Sequence, residues 1–296
     1  MRHSSNWAVH GIPQRAFLAK LEFLESACVS RSVATRDISG RLVFLGTGTS
    51  VGVPAIGCGC AVCTSKNPRN RRTRCGLVLG LPAGNLLIDT PPDLRQQLLR
   101  EQIGIVHAVL YTHEHADHIY GLDDLRLMQF YLGGPVPLYC EPPVEARIRK
   151  SFDYAFESPG GLHSGAVPQL EIRTIDLEPF EVLGAPIVPM RLQHGPRFEV
   201  LGFRFGNVAY CTDTNGIPPE SRDKLRGLDV LILDCLRREP HTTHFGLEES
   251  LAVVADLAPK RTLLTHISHE LDDEEINAEL PPNVELAYDG LCLKLT

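Results

Sequence analysis

The sequence predicts an α/β fold in which strands and helices are stacked in layers. Three observations carry that expectation. Short apolar runs alternate with amphipathic stretches of helical spacing, strands followed by helices and then the same again. Residues that can ligate a metal stand directly after such runs, most densely in Tyr111-Thr-His-Glu-His-Ala-Asp-His-Ile-Tyr-Gly121, which follows the apolar run 106–110. The composition, 43% hydrophobic and 22% charged over 296 residues, is that of an ordinary globular chain with a large core.

Composition also excludes whole classes of function. No apolar run approaches the ~20 residues of a membrane helix, so the expected protein is neither membrane-spanning nor disordered. Lysine and arginine number 29 against 36 acids, a net charge of −7, which argues against broad phosphate-backbone contact. A small phosphorylated substrate is the expected partner, and nucleic acid is not. Nine cysteines without a secretory signal, three of them crowded at 58, 60 and 63, point to a reducing cytoplasm and not to a disulfide framework.

Residues 1–40 carry scattered Ser, Arg and His around one amphipathic stretch, 16–26, and read as an N-terminal extension or an overextended start. The main domain is expected over 41–296. Residues 42–45 form a buried strand that enters the turn Gly46-Thr-Gly-Thr-Ser50, whose glycines would let the backbone pass close to the metal site. Cys58-Gly-Cys60-Ala-Val-Cys63 can wrap one ion as thiolates, with Cys75 or a distant histidine as the fourth ligand. Arg69-Asn-Arg-Arg-Thr-Arg74 is a basic loop, one of whose arginines can clamp a substrate phosphate. Strands 76–81 and 85–89 meet at the turn Pro82-Ala-Gly-Asn85, and Asp93 caps a helix to Arg100 with Leu94, Leu98 and Leu99 inward.

In the central motif, residues two apart in an extended segment point the same way, so His113 and His115 grip one ion. The chain then turns into a helix at Asp117, and Asp117 and His118 face a second ion. This is not the zincin His-Glu-x-x-His, because the two histidines are too close for one helical face. Helical patterns at 121–131 and 143–156 follow, then a loop at 157–168 containing His163. Extended stretches 170–176, 181–183, 187–193, 199–205 and 208–212 make a β-rich half. A buried strand 228–234, a helix 247–258, strand 261–265, an acidic helix 272–279 and strands 284–288 and 291–295 complete it. His107 reads as a satisfied core residue.

His113-x-His115-x-Asp117-His118 resembles the signature of the metallo-β-lactamase superfamily. The resemblance implies a four-layered αβ/βα sandwich with two metal ions at one edge. His194, at the end of 187–193, would complete the first ion's set; Asp213 would bridge both ions; His266 would join Asp117 and His118 on the second. Asp89 would orient a ligand histidine. Gly46-Thr-Gly48 with Cys58, Cys60 and Cys63 narrows the resemblance to the phosphoribosyl cyclic phosphodiesterase group of the carbon–phosphorus lyase pathway. That group implies His269 as the fourth ligand of a structural zinc and His244, rather than the nearby His241, as the acid that serves the leaving group.

The implied activity is opening of a small cyclic phosphate, of the 5-phosphoribosyl 1,2-cyclic phosphate type, by a hydroxide shared between two manganese or zinc ions. Its catalytic residues would be Asp117, Asp213 and His244, and a homodimer is common among such proteins. A tRNA 3′-processing nuclease shares the core motif but usually adds a long basic arm, which this sequence lacks. A glyoxalase II-type thioesterase leaves the cysteine cluster unexplained. A non-hydrolytic cofactor-biosynthesis or metal-binding relative would have altered ligands, whereas all seven are present here.

Overall fold

The central strands of each sheet are continuous apolar runs because both of their faces are covered. In the computed structural model, which describes residues 33–156 and 166–295, Leu42 and Phe44 point into one core and Val43 and Leu45 into another. The same alternation separates Leu77 and Leu79 from Val78, and Leu86 and Ile88 from Leu87. It recurs at Ile232 between Leu231 and Leu233. Each such side chain contributes roughly 1.5–3 kcal/mol on burial.

Two seven-stranded sheets result. The first contains β1 (Arg41–Gly46), β2 (Gly76–Leu81), β3 (Gly84–Ile88), β4 (Ala108–Leu110), β5 (Val136–Cys140) and β6 (Leu170–Thr174). The second contains β7 (Phe180–Val182), β8 (Ala185–His194), β9 (Phe198–Phe205), β10 (Val208–Cys211), β11 (Val230–Asp234), β12 (Arg261–Thr265) and β13 (Val284–Leu286). The last strand, β14 (Cys292–Lys294), returns to pair with β1, giving the orders β14-β1-β2-β3-β4-β5-β6 and β13-β12-β11-β10-β9-β8-β7.

Helices α1 (Ala61–Thr64), α2 (Leu94–Arg100), α3 (Ala116–Ile119), α4 (Met128–Leu132), α5 (Pro142–Ser151), α6 (Pro219–Lys224), α7 (Leu247–Leu257) and α8 (Asp273–Glu279) follow in chain order. Leu94, Leu98, Val144 and Ile148 of α2 and α5 cover the outer face of the first sheet. Leu247, Val253, Val254 and Leu257 of α7, with Ile276 of α8, cover the second. Helix, sheet, sheet, helix is the four-layered sandwich. No helix among the described residues is long and apolar enough to cross a membrane.

Ile38 is buried and Arg36 N–H donates to Gln102 O at 2.7 Å, within the compact unit that runs from Thr35. Other expectations change. Leu99 is 62% exposed, on the outer side of α2, and Asp93 makes no side-chain cap; its carboxylate instead accepts Arg74 N–H at 2.9 Å. A Cβ on Gly46 would lie 2.0 Å from Arg74 O, so this glycine admits the lead-in to β2, while the turn after it pairs with Ile267, next to His266, at 2.9 and 3.1 Å. Three of the four arginines of 69–74 have partners within the fold, and Arg71 is exposed. Arg72 is 2% exposed and pairs with Asp273 at 3.5 Å, Arg74 holds Asp93 at 3.1 Å, and Arg69 lies over the Tyr288 ring. The expected helix 16–26 and His163 lie outside the described residues.

Candidate metal centre

The polar residues singled out in the sequence gather at one end of the sheets. After β4 the chain leaves the sheet, His115 stands in extended conformation as the residue before α3, and Asp117 and His118 fall within that helical turn. The local change from extended to helical backbone splits the motif into two pairs aimed in different directions. His113 and His115 meet His194 from the end of β8, and Asp117 and His118 meet Asp213 and His266 from just beyond β10 and β12. Within each group the ligand-type atoms lie within 4.8 Å of one another.

Asp213 reaches across both groups. Its carboxylate lies 3.3 Å from His118 Nε2, 3.2 Å from His266 Nε2 and 4.0 Å from His113 Nε2. Asp117 Oδ2 stands 3.4 Å from His118 Nε2 and 3.8 Å from His266 Nε2. Such separations suit ligand atoms sharing an ion at about 2.0–2.2 Å each. Asp89, Asp213 and His266 all have positive φ (62°, 53° and 59°), the left-handed turn that swings a residue out of its strand.

Supporting hydrogen bonds fix the rings of His113, His118 and His194 through Nδ1, whereas His266 Nδ1 has no partner among the described residues. His118 Nδ1 donates to Asp89 Oδ2 at 2.8 Å, so Asp89 stands where the sequence placed it. Thr112 Oγ1 lies 2.9 Å from His113 Nδ1 and donates to Asp89 at 2.8 Å, and His194 Nδ1 donates to Thr243 O at 2.8 Å. With Nδ1 engaged, Nε2 is the nitrogen left for a metal. The buried Nε2 atoms of His113, His118 and His266 have no hydrogen-bond partner, a costly arrangement that a cation relieves.

Electrostatics agree. Burial works against ionising Asp117 and Asp213, yet His118 beside Asp117 and His266 beside Asp213 hold both carboxyls well below the usual range. Burial equally resists protonating His118 and His266, yet the carboxylates raise His118 well above its ordinary value and His266 to about 9. A divalent cation held by these residues would take the place of those protons and keep the same carboxylates ionised. The donor set of imidazoles and carboxylates therefore fits zinc, manganese or iron(II).

His244 sits beside this centre, its ring stacked on His266 at 4.6 Å and edge-on to His194 at 4.9 Å. Its Nδ1 donates to Asp234 Oδ2 at 2.8 Å, and Thr214 N–H binds the same oxygen at 3.1 Å. Asp234 was not singled out in the sequence. Its signal is the one Asp89 and Asp213 share, an aspartate closing an apolar strand. His241 lies at a ring distance of 5.4 Å from His244 and turns to Thr243, with Oγ1 3.2 Å from its Nδ1. His107 accepts Asn85 N–H at 2.9 Å and is half-buried, as a satisfied structural residue should be.

A second group joins Cys58, Cys60, Cys63 and His269. Both Cys58 and Cys60 place Sγ 3.4 Å from His269 Nδ1. Cys63 N–H and His269 bring Cys60 down to about 6, while burial pushes Cys63 up to about 11. A soft cation bound among these sulfurs would supply the positive charge that favours the thiolate form. Cys75 is elsewhere, buried against Thr265 Oγ1 at 3.5 Å.

The domain model described as "Beta-lactamase superfamily domain" matches residues 84–267, which takes in His113 through His266. A crystal structure of a new diphosphatase from the PhnP family aligns with a TM-score of 0.80 and 44% identity, covering 86% of this chain and 96% of that one. An octanoyltransferase from Porphyromonas gingivalis (strain ATCC BAA-308 / W83) is 36% identical over 85% of this chain, and the chain spans 51% of that protein's length. Coenzyme PQQ synthesis protein B of Methylobacterium radiotolerans is 36% identical over 86% of this chain and 100% of its own. Paired sheets, ligand-bearing strand ends and this span of matched sequence agree: the chain belongs to the β-lactamase superfamily, with the metallo-β-lactamase fold, and resembles its PhnP group.

Proposed function

We propose that this protein is a dinuclear metal-dependent phosphodiesterase that opens a five-membered cyclic phosphate on ribose. The observation that carries the reading is the convergence of seven ligand-type side chains with an aspartate-anchored histidine at one end of the sandwich. His113, His115 and His194 would hold one ion; Asp117, His118 and His266 the other; Asp213 would serve both. Two such ions, when bound, supply Lewis-acid stabilisation of phosphoryl oxygens and lower the pKa of water. Cys58, Cys60, Cys63 and His269 would hold a structural zinc that ties the loop before α1 to the segment after β12.

The protein's own contribution is proton transfer and positioning. Asp234 fixes Nδ1–H of His244, which leaves Nε2 to deliver a proton to the departing sugar oxygen. One P–O bond to the sugar breaks, one P–O bond to water's oxygen forms, and the product is a phosphomonoester. The left-handed turns at Asp89, Asp213 and His266 set the ligands before substrate arrives. The simplest substrate of this class is 5-phosphoribosyl 1,2-cyclic phosphate. We place the reaction in the cytoplasm.

A second reading, hydrolysis of a diphosphate, is favoured by the diphosphatase among the similar structures. The two differ at His244, because a phosphate leaves as a stable anion whereas a sugar alkoxide needs a proton. The test is ³¹P NMR of manganese-supplemented protein with 5-phosphoribosyl 1,2-cyclic phosphate and with a diphosphate ester, comparing wild type and His244→Ala. A phosphomonoester signal from the cyclic substrate, reduced roughly 10²–10⁴-fold in the variant, supports the diesterase. Turnover of the diphosphate alone, indifferent to His244, selects the second reading. Asp213→Ala should lose activity and metal together; full activity would sink both.

A further inference from the structure

Three separate stretches of chain bring the reacting groups together. His194 closes β8, Asp213 stands two residues beyond β10, and His244 lies in a stretch, 240–245, that is neither helix nor strand. Such a loop has no ladder to fix it, so its carbonyls become the handles by which it is held. Thr243 O accepts Nδ1–H of His194 at 2.8 Å, and Thr242 O accepts an N–H of the Asn215 side chain at 2.9 Å. The other end of that amide, Oδ1, accepts Gly195 N–H at 2.8 Å. Asn215 thus spans from the residue after one ligand histidine to the loop that carries the acid.

Both partners are main-chain groups of fixed polarity, so the amide has one orientation, oxygen to Gly195 and nitrogen to Thr242. Aspartate would keep the first bond and set an acceptor against an acceptor at the second; alanine would keep neither. Asn215 is itself anchored, its backbone N–H donating to Gln193 O at 3.0 Å. The preceding Thr214 N–H holds Asp234 Oδ2 at 3.1 Å, the same oxygen that receives His244 Nδ1–H. The two loops also touch closely: Gly195 has φ 73°, and a Cβ there would stand 2.6 Å from Thr243 Cγ2. That contact stops the loops from closing further, and the amide stops them from parting.

We infer that Asn215 is a positioning residue for the leaving-group proton: it holds the loop of His244 at a fixed distance from His194, so that the acid keeps one geometry toward the metal centre. This deepens the phosphodiesterase reading and rests on it for the acid's role; the tie between the loops is tested apart from it.

The experiment compares Asn215→Ala and Asn215→Asp, each alone and combined with His244→Ala, on 5-phosphoribosyl 1,2-cyclic phosphate and on bis(4-nitrophenyl) phosphate, with metal content followed by elemental analysis. With the acid misplaced, kcat on the sugar substrate should fall roughly 10–100-fold in both single variants, with KM within about 3-fold and metal content unchanged. Nitrophenolate leaves without needing a proton, so hydrolysis of the second substrate should change by no more than about 2-fold. On the His244→Ala background neither substitution should cost anything more, because groups that act as a unit do not add. Equal losses on both substrates, a further loss in the double variants, or an effect on KM alone overturns the inference. If the metal-loaded wild type does not open the sugar substrate, the diesterase reading fails there, and hydrogen–deuterium exchange decides the tie. Asn215→Ala should then speed amide exchange over 241–245 at least about 5-fold, the worth of one hydrogen bond; unchanged exchange overturns it.

Discussion

Replacing Asp89 by asparagine changes one atom and breaks a junction. The carboxylate is fully buried and accepts three donors: Thr112 N–H at 2.8 Å on Oδ1, and Thr112 Oγ1–H and His118 Nδ1–H at 2.8 Å each on Oδ2. An amide has one acceptor oxygen. Whichever way it turns, its NH₂ faces either the Thr112 amide or His118 Nδ1–H, a donor against a donor. The charge-assisted bond to His118 is worth about 1.5–3 kcal/mol, and the stranded donor adds a cost of similar size. Because these terms are not additive, we expect a loss of about 3 kcal/mol in folding stability without metal. His118 also loses its set orientation, which should weaken metal affinity roughly 10–100-fold. Chelator competition followed by elemental analysis reads the second effect, and thermal melts in excess chelator read the first. A variant that melts lower but binds metal as tightly as wild type would refute the orienting role and leave Asp89 a packing function alone.

Three further outcomes follow from the same geometry. Asp234→Asn should lower kcat about 10²-fold on a sugar-leaving substrate with metal content unchanged, because His244 loses its fixed tautomer; loss of metal instead would show that Asp234 supports the ligands. Cys60→Ala should remove one zinc and depress the melting temperature by several degrees while the catalytic ions stay bound, read by elemental analysis and calorimetry. Asp272 caps α8 by accepting the Glu274 and Glu275 amides at 3.0 and 3.2 Å. Partial burial opposes ionisation of Asp272, yet these amides and Asn70 hold its carboxyl below its ordinary 3.8. A depressed folded-state value means the stabilisation is present above pH 3.8 and vanishes as pH falls through the lower folded value. Asp272→Ala should therefore cost about 1 kcal/mol at pH 7 and nothing in strong acid, measured by denaturation at both pH values; a pH-independent difference would contradict the cap.

The strands and the centre were legible for different reasons. Continuous runs such as Leu42 to Leu45 announce themselves because both faces are buried, and the compact His113 to His118 motif needs only local geometry. His194, Asp213 and His266 were found through their order along a known pattern, since a lone polar residue at a strand end does not reveal what it faces. Asp234 escaped for that reason. Thr243 supports His194 through a carbonyl, which no side-chain pattern encodes. Arg72 was placed in a basic loop because charge is visible in a sequence and burial is not: it is among the largest fully buried side chains of the described residues, yet it looks like any basic loop residue. Leu99 was assigned inward on apolarity alone, although its helix has room for only one covered stripe.

The left-handed backbone at Asp89, Asp213 and His266 also limits how this centre can be redesigned. Aspartate, asparagine and histidine are among the few side chains that tolerate that conformation, so at Asp213 and His266 the main chain and a bound metal would select overlapping alphabets. A longer or softer ligand there, glutamate or cysteine, would meet resistance from the peptide before any ion was offered. His113, His115 and His194 have no positive φ, so attempts to alter metal preference have their widest choice on that half of the centre.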